Sequence, residues 1–190
     1  MISTWTARYN PGVTISSVIW SSKLMIFCAV GSGNSYISSD GITWTSSVIT
    51  NSGVWHNDVA WSNELNLFCA VGQSNIANST NLIATSPNGI TWTVQTHPPV
   101  QSASGLKSID WSPEYKIFNV TGYYNTNGFQ RSYDGINWIG LGITIFSGSG
   151  YGTTWNGTMW VAVGNGTNTI AYSYNGLTWT GIGATIFNNS

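Results

Sequence analysis

The sequence predicts an all-β fold, a β-propeller of about four four-stranded blades. Three observations carry that prediction. First, one heptad recurs four times, as Ser38–Trp44, Ser86–Trp92, Ser132–Trp138 and Ser173–Trp179, always reading S-x-[DN]-G-[IL]-[TN]-W. Its tryptophans are spaced 48, 46 and 41 residues apart. Second, each heptad is preceded by a Trp followed by Ser or Asn, and then by an apolar run that closes on Gly. These segments are Trp20 to Gly31, Trp61 to Gly72, Trp111 to Gly122 and Trp155 to Gly164. Third, no segment has helical periodicity. Four-stranded units of this length suit radial repetition. The rival arrangement, a stacked β-solenoid, uses shorter repeats.

Each unit is expected to supply four short strands. The first runs three to five residues to the landmark Trp, as in Ser17-Val18-Ile19-Trp20. A tight turn follows, Ser21-Ser22-Lys23 in the first copy and Asn156-Gly157 in the fourth. The second strand is the apolar run, such as Phe27-Cys28-Ala29-Val30-Gly31, apolar on both faces as a strand between two neighbouring sheets must be. The third and fourth strands flank the pairs Asp40-Gly41, Asn88-Gly89, Asp134-Gly135 and Asn175-Gly176. Such a pair predicts a two-residue type I′ hairpin with positive φ at both positions, with Ser38 facing Thr43 across it. One domain over 1–190 follows, with repeats at approximately 7–48, 49–96, 97–143 and 144–187.

Thr4-Trp5-Thr6 resembles Thr43-Trp44-Thr45, so 3–8 is expected to be an additional outer strand. The C-terminal Ala184-Thr185-Ile186-Phe187 matches Ile143-Thr144-Ile145-Phe146. A surplus strand either displaces its equivalent in a four-bladed monomer or joins chains into a larger ring or filament. Self-assembly through edge strands is the expectation, because an open edge invites pairing.

Composition narrows the function classes. Charged residues make up 6% and the net charge is −1, so no basic face exists for nucleic acid. Hydrophobic residues at 42%, with 11 Trp, supply a core. No apolar run is long enough for a membrane span. No basic n-region followed by an apolar h-region opens the chain. An extracellular or virion-surface location without a visible signal peptide is expected. Cys28 and Cys69 hold equivalent places in successive repeats, too far apart for a disulfide, and are expected free and buried.

The heptads resemble the Asp-box, or BNR repeat, of sialidase-like propellers. The usual pattern, S-x-D-x-G-x-T-W, has one more residue between acid and Trp, and two copies here carry Asn88 and Asn175 in place of Asp. The pairing of an F-x-A-V-G strand with S-x-D-G-x-T-W also resembles propeller repeats of bacterial, phage and large-virus proteins. The resemblance implies the fold; it does not select a function, since Asp-boxes occur in enzymes, lectins, receptors and assembly factors.

Sialidase chemistry needs an arginine triad, and the chain has only Arg8 and Arg131. Asp40 and Asp134 occupy the position that Asn88 and Asn175 fill elsewhere, so their role is conformational. Asp58 and Asp110, near first strands, are expected to cap the core beside a central channel. Glu64 and Glu114 occupy solvated turns. His56 and His97 lack partners at ligand spacing, so neither a metal nor a cofactor is expected. No catalytic residue is assigned. The expected activity is that of a non-catalytic, lectin-like module for a glycan or protein surface; a virion, tail-fibre or filament subunit is the alternative. Candidate ligand-binding residues are aromatic and polar groups outside the repeat pattern: Trp55, His56, Tyr123, Tyr124 and Asn125. The divergent loops 73–82, 94–106 and 123–129 would hold such a site.

Overall fold

A computed structural model describes residues 12–49, 53–75, 80–99, 105–123 and 128–185. The surplus strand expected at 3–8 lies outside them. The first blade holds β1 (Ile15–Ser21), β2 (Ile26–Gly31), β3 (Asn34–Ser38) and β4 (Thr45–Val48). The second holds β5 (Val54–Ser62), β6 (Leu67–Ser74), β7 (Ile83–Ser86) and β8 (Thr93–Gln95). The third holds β9 (Leu106–Ser112), β10 (Ile117–Gly122), β11 (Gln130–Ser132) and β12 (Trp138–Gly140). The fourth holds β13 (Gly150–Trp155), β14 (Trp160–Gly164), β15 (Ile170–Ser173) and β16 (Thr180–Gly181). Each blade is an antiparallel meander with its strands in chain order. The fold is the expected all-β propeller of four four-stranded blades. Among the described residues, no helix is long and apolar enough to cross a membrane.

β1, β5, β9 and β13 are the innermost strands, and each packs against the next in chain order. The landmark Trp on an innermost strand packs, with its ring tilted, against the aromatic ring directly across the register. Trp20 meets Phe27 at 4.6 Å, Trp61 meets Phe68 at 4.4 Å, Trp111 meets Phe118 at 4.4 Å and Trp155 meets Trp160 at 5.5 Å between ring centroids. The core lies between blades. At the first junction Cys28 and Val30 of one blade pack with Val59, Trp61 and Phe68 of the next. At the second, Cys69 and Val71 pack with Ile109, Trp111 and Phe118. Cys28 and Cys69 are free and buried, and burial pushes the Cys28 thiol up to about 12.

The closing glycine of each apolar run has a steric cause. A bulge in the partner strand, such as that between His56 and Asp58, brings its backbone close. A Cβ at Gly72 would lie 2.5 Å from the Trp55 carbonyl oxygen, which no side chain tolerates.

The hairpins differ from the expected type I′ turn. Only the glycines have positive φ, as Gly41 at 71° and Gly89 at 74°, and Ser38 does not face Thr43. Instead the Ser38 hydroxyl donates to Asp40 Oδ1 at 2.9 Å and accepts the Gly41 N–H at 2.9 Å. Asp40 Oδ1 accepts the N–H groups of Ile42 and Thr43 at 2.8 and 2.7 Å. The Trp44 indole N–H closes the loop on the Gly41 carbonyl at 3.3 Å. Asn88 Oδ1 accepts from Ile90 and Thr91 at 2.9 and 2.8 Å, so an amide oxygen serves as well as a carboxylate. These side-chain bonds replace the cross-strand pairs of a two-residue turn.

The hairpin of each later blade also leans on the blade before it. The Ser35 hydroxyl donates to the Gly89 carbonyl at 2.8 Å and accepts the Trp92 indole N–H at 2.9 Å. A Cβ at Gly89 would fall 2.7 Å from Ile37 Cγ2, whereas one at Gly142, with nearly the same φ of 75°, meets nothing within 4 Å. Gly142→Ala should therefore cost only left-handed backbone strain, about 1–2 kcal/mol. Gly89→Ala should cost that plus about 1–3 kcal/mol of overpacking between blades. Urea unfolding of the two variants checks the difference, and equal losses would contradict this account of the hairpin.

Candidate binding face

The strand ends that flank the divergent segments 73–82, 94–106 and 123–129, namely the ends of β6 and β10 and the start of β9, lie at the end of the propeller where the innermost strands begin. At that end every innermost strand carries one bulged residue, skipped by the register: Ser16, Asn57, Lys107 and Tyr151. A bulge re-aims its side chain out of the ladder. In three blades the bulged residue meets the residue that follows the closing glycine. Asn57 Nδ2 lies 3.5 Å from Gln73 Oε1. The Lys107 ammonium sits 4.4 Å above the centre of the Tyr123 ring. The Tyr151 hydroxyl accepts a hydrogen bond from Asn165 Nδ2 at 2.9 Å.

The pairs of the second and third blades are joined. Lys107 Nζ donates to Gln73 Oε1 at 3.2 Å, and Asn57 Nδ2 donates to the Leu106 carbonyl at 2.8 Å. The Tyr123 N–H donates to the Gly105 carbonyl at 2.9 Å. Trp55 stands opposite Gln73 in the register and is 45% exposed. Trp55 and Tyr123 thus belong to one rim, linked through Gln73 and Lys107. Asn57, Gln73, Lys107, Tyr151 and Asn165 were not singled out from sequence. The signal was positional, one residue past each closing glycine and one at each bulge.

His56 departs from its expected place. It is not a loop residue, because β5 extends to Val54 and includes it. Strand alternation turns Trp55 outward and His56 inward, where the ring is fully buried. Tyr124 and Asn125 lie outside the described residues.

Two carboxylates staple the innermost strands below the rim. Asp58 Oδ1 accepts from the Ser17 hydroxyl at 2.7 Å and the Val59 N–H at 2.9 Å. Asp58 Oδ2 accepts from the Ser108 hydroxyl and the Ile109 N–H, both at 3.0 Å, so one side chain ties three blades. Asp110 accepts from its neighbour Trp111 N–H at 2.8 Å and from Trp155 N–H and Thr154 Oγ1 of the fourth blade at 2.8 and 3.0 Å. Burial raises the Asp110 pKa, against the pull of the Trp155 and Trp111 N–H groups. Glu64, expected to be only solvated, also accepts the Trp111 indole N–H at 2.8 Å. Among the described residues no group of three or more His, Cys, Asp or Glu side chains gathers at metal-binding distance.

No family model matches the chain, and no curated protein matches it. Solved structures do. A chain of the nidogen/laminin complex is 14% identical with a TM-score of 0.63, over 87% of this chain and 62% of that one. The computationally designed Ika4 protein is 12% identical with a TM-score of 0.62, over 92% and 99%. The β-propeller domain of Myceliophteria thermophila Cps50 (Swd1) is 10% identical with a TM-score of 0.52, over 85% and 54%. The chain therefore spans less than two thirds of the nidogen and Swd1 chains. At these identities the likeness defines the fold alone, a β-propeller.

The two histidines set a pH dependence. Burial lowers the His56 pKa from 6.5 to about 4. Burial also lowers His97 from 6.5 to about 4, although Nδ1 lies 2.8 Å from the Pro98 carbonyl, a bond that favours the proton. His97 Nε2 accepts the Leu82 N–H at 3.2 Å, which requires the neutral ring. The unfolded chain binds these protons first. Stability is therefore full above pH 6.5 and is lost as pH falls towards about 4. Each ring accounts for on the order of 3 kcal/mol. Asp110 acts with the opposite sign, so the histidine part is read by difference. His56→Phe should flatten the fall in melting temperature across this window; an unchanged slope would mean that His56 is not buried neutral.

Proposed function

We propose that the protein is a non-catalytic binding module whose rim binds a carbohydrate displayed on a cell or particle surface. The observation behind this reading is the rim itself. A half-exposed indole, Trp55, stands beside the Asn57–Gln73 and Lys107–Tyr123 pairs, with the Tyr151–Asn165 pair in the next blade. Sugars offer apolar faces that stack on aromatic rings and hydroxyls that pair with amides. The low charge of the chain suits a neutral ligand. The carboxylates near the innermost strands have their lone pairs engaged by neighbouring strands, which favours a holding role over proton transfer. A second reading, a structural or assembly subunit of a virion, fibre or filament, draws on a different observation: two blade faces that none of the described residues covers.

The test is binding of the purified, labelled protein to a broad glycan array, with Trp55→Ala as the control. Selective binding is expected, lost in Trp55→Ala while the melting temperature stays within a few degrees, as for a surface substitution. Binding that survives Trp55→Ala would move the site off this rim. No binding across the array would overturn the carbohydrate reading.

A further inference from the structure

The three junctions between blades are copies of one interface, and among the described residues its two halves remain uncovered at the ends of the arc. The halves are recognised by comparing equivalent positions. On the leading face, Val59, Ile109 and Thr153 are 3%, 4% and 8% exposed, each covered by the preceding blade. Their equivalent in the first blade, Val18, is 57% exposed, and Trp20 is 38% exposed where Trp61 and Trp111 are 8% and 6%. On the trailing face, Val30, Val71 and Thr121 are fully buried under the following blade, while their equivalent in the fourth blade, Val163, is 40% exposed. A groove of about 230 Å³ borders Val163, lined also by Val161, Thr153 and Thr154.

The hairpins repeat the pattern. A Cβ on Gly89, Gly135 or Gly176 would press on Ile37, Leu67 or Asn119 of the blade before it. One on Gly41 would meet only Phe27 of its own blade, at 3.9 Å. Among the described residues, β14 and β1 share no packing comparable to that of β2 with β5, β6 with β9, or β10 with β13.

We infer that two copies of this chain pair head to tail, each leading face on the other's trailing face, and close one eight-bladed ring. In that ring Val18 meets Val163 of the second copy as Val59 meets Val30 within the first junction, and Gly41 gains the neighbour that Gly89 already has. The occupant is a second copy because the chain itself carries both halves of an interface that it already forms three times. A heterologous contact of this kind closes into a ring when the rotation allows. The matched region covers 54% of the Swd1 propeller domain, so a propeller can hold more blades than this arc supplies. Eight blades fall within the usual range, and three copies would exceed it. The inference is independent of what the rim binds.

Light scattering on the purified full chain over a dilution series tests it. A mass near twice 20.5 kDa is expected. Val18→Glu and Val163→Glu should each halve it, with circular dichroism and thermal unfolding confirming that the blades remain folded, since both side chains are exposed. Ile139→Glu, at an exposed position on the outer strand β12, should leave the dimer intact. A single-chain mass for the native protein would overturn the inference, as it would if a segment of the same chain covers these faces. So would a ladder of masses, a dimer that survives either valine substitution, or one lost only with Ile139→Glu, which points to pairing of outer strands.

Discussion

A blade that is apolar on both faces cannot stand alone, and the rest of this molecule follows from that constraint. The second strand of each blade contributes one row of side chains to each neighbour. Val30 and Cys28 face forward into the second blade, while Phe68 and Ala70 face back to meet them. The Trp–Phe contact makes Trp61 and Trp111 part of their junctions rather than of the surface. The polar devices serve the same end. Asp58 bonds three successive innermost strands, and the Gly89 hairpin hydrogen-bonds Ser35 of the blade before it. Buried polar groups of this kind add register to an interface that apolar packing alone would leave free to slide.

Much of the fold was legible because its constraints act on residue type. A closing glycine is required where the bulged neighbour approaches, so Gly31, Gly72, Gly122 and Gly164 recur. The hairpin requires Ser, an Asx oxygen, Gly and an indole N–H, so the heptad recurs. The turn type was misread because Asp-Gly also signals type I′, and only the bonds from Ser38 and Asp40 distinguish the two. The rim was legible only in part. Its members are defined by register, and Ser16, Asn57, Lys107 and Tyr151 share no chemistry. Trp55 stood out as an aromatic outside the pattern. His56 was misplaced for the reason that makes strands hard to read at their ends: one residue of extension reverses inside and outside.

Sequence divergence is also distributed by this constraint. Positions inside a junction are mostly aliphatic or aromatic, with polar exceptions such as Ser35, Asn119 and Thr153. The end of the propeller that carries the rim is released from packing, and there the four blades differ. A ligand at that end would meet unequal blades, whereas a partner at the seam would meet surfaces that the chain repeats. The proposed binding face and the proposed ring closure therefore rest on opposite features of one repeat.

The central claim is that the junction is a single repeated interface left open at both ends. The most direct measurement is cross-linking of a Val18→Cys/Val163→Cys double variant with a short bismaleimide. Cys28 is buried, with its thiol pushed up to about 12, and Cys69 is buried too, so the native thiols stay unreactive. The account predicts a covalent two-chain product that is absent from either single variant. A cross-link confined to one chain, at single-chain mass, would show that the four blades close on themselves and would contradict it.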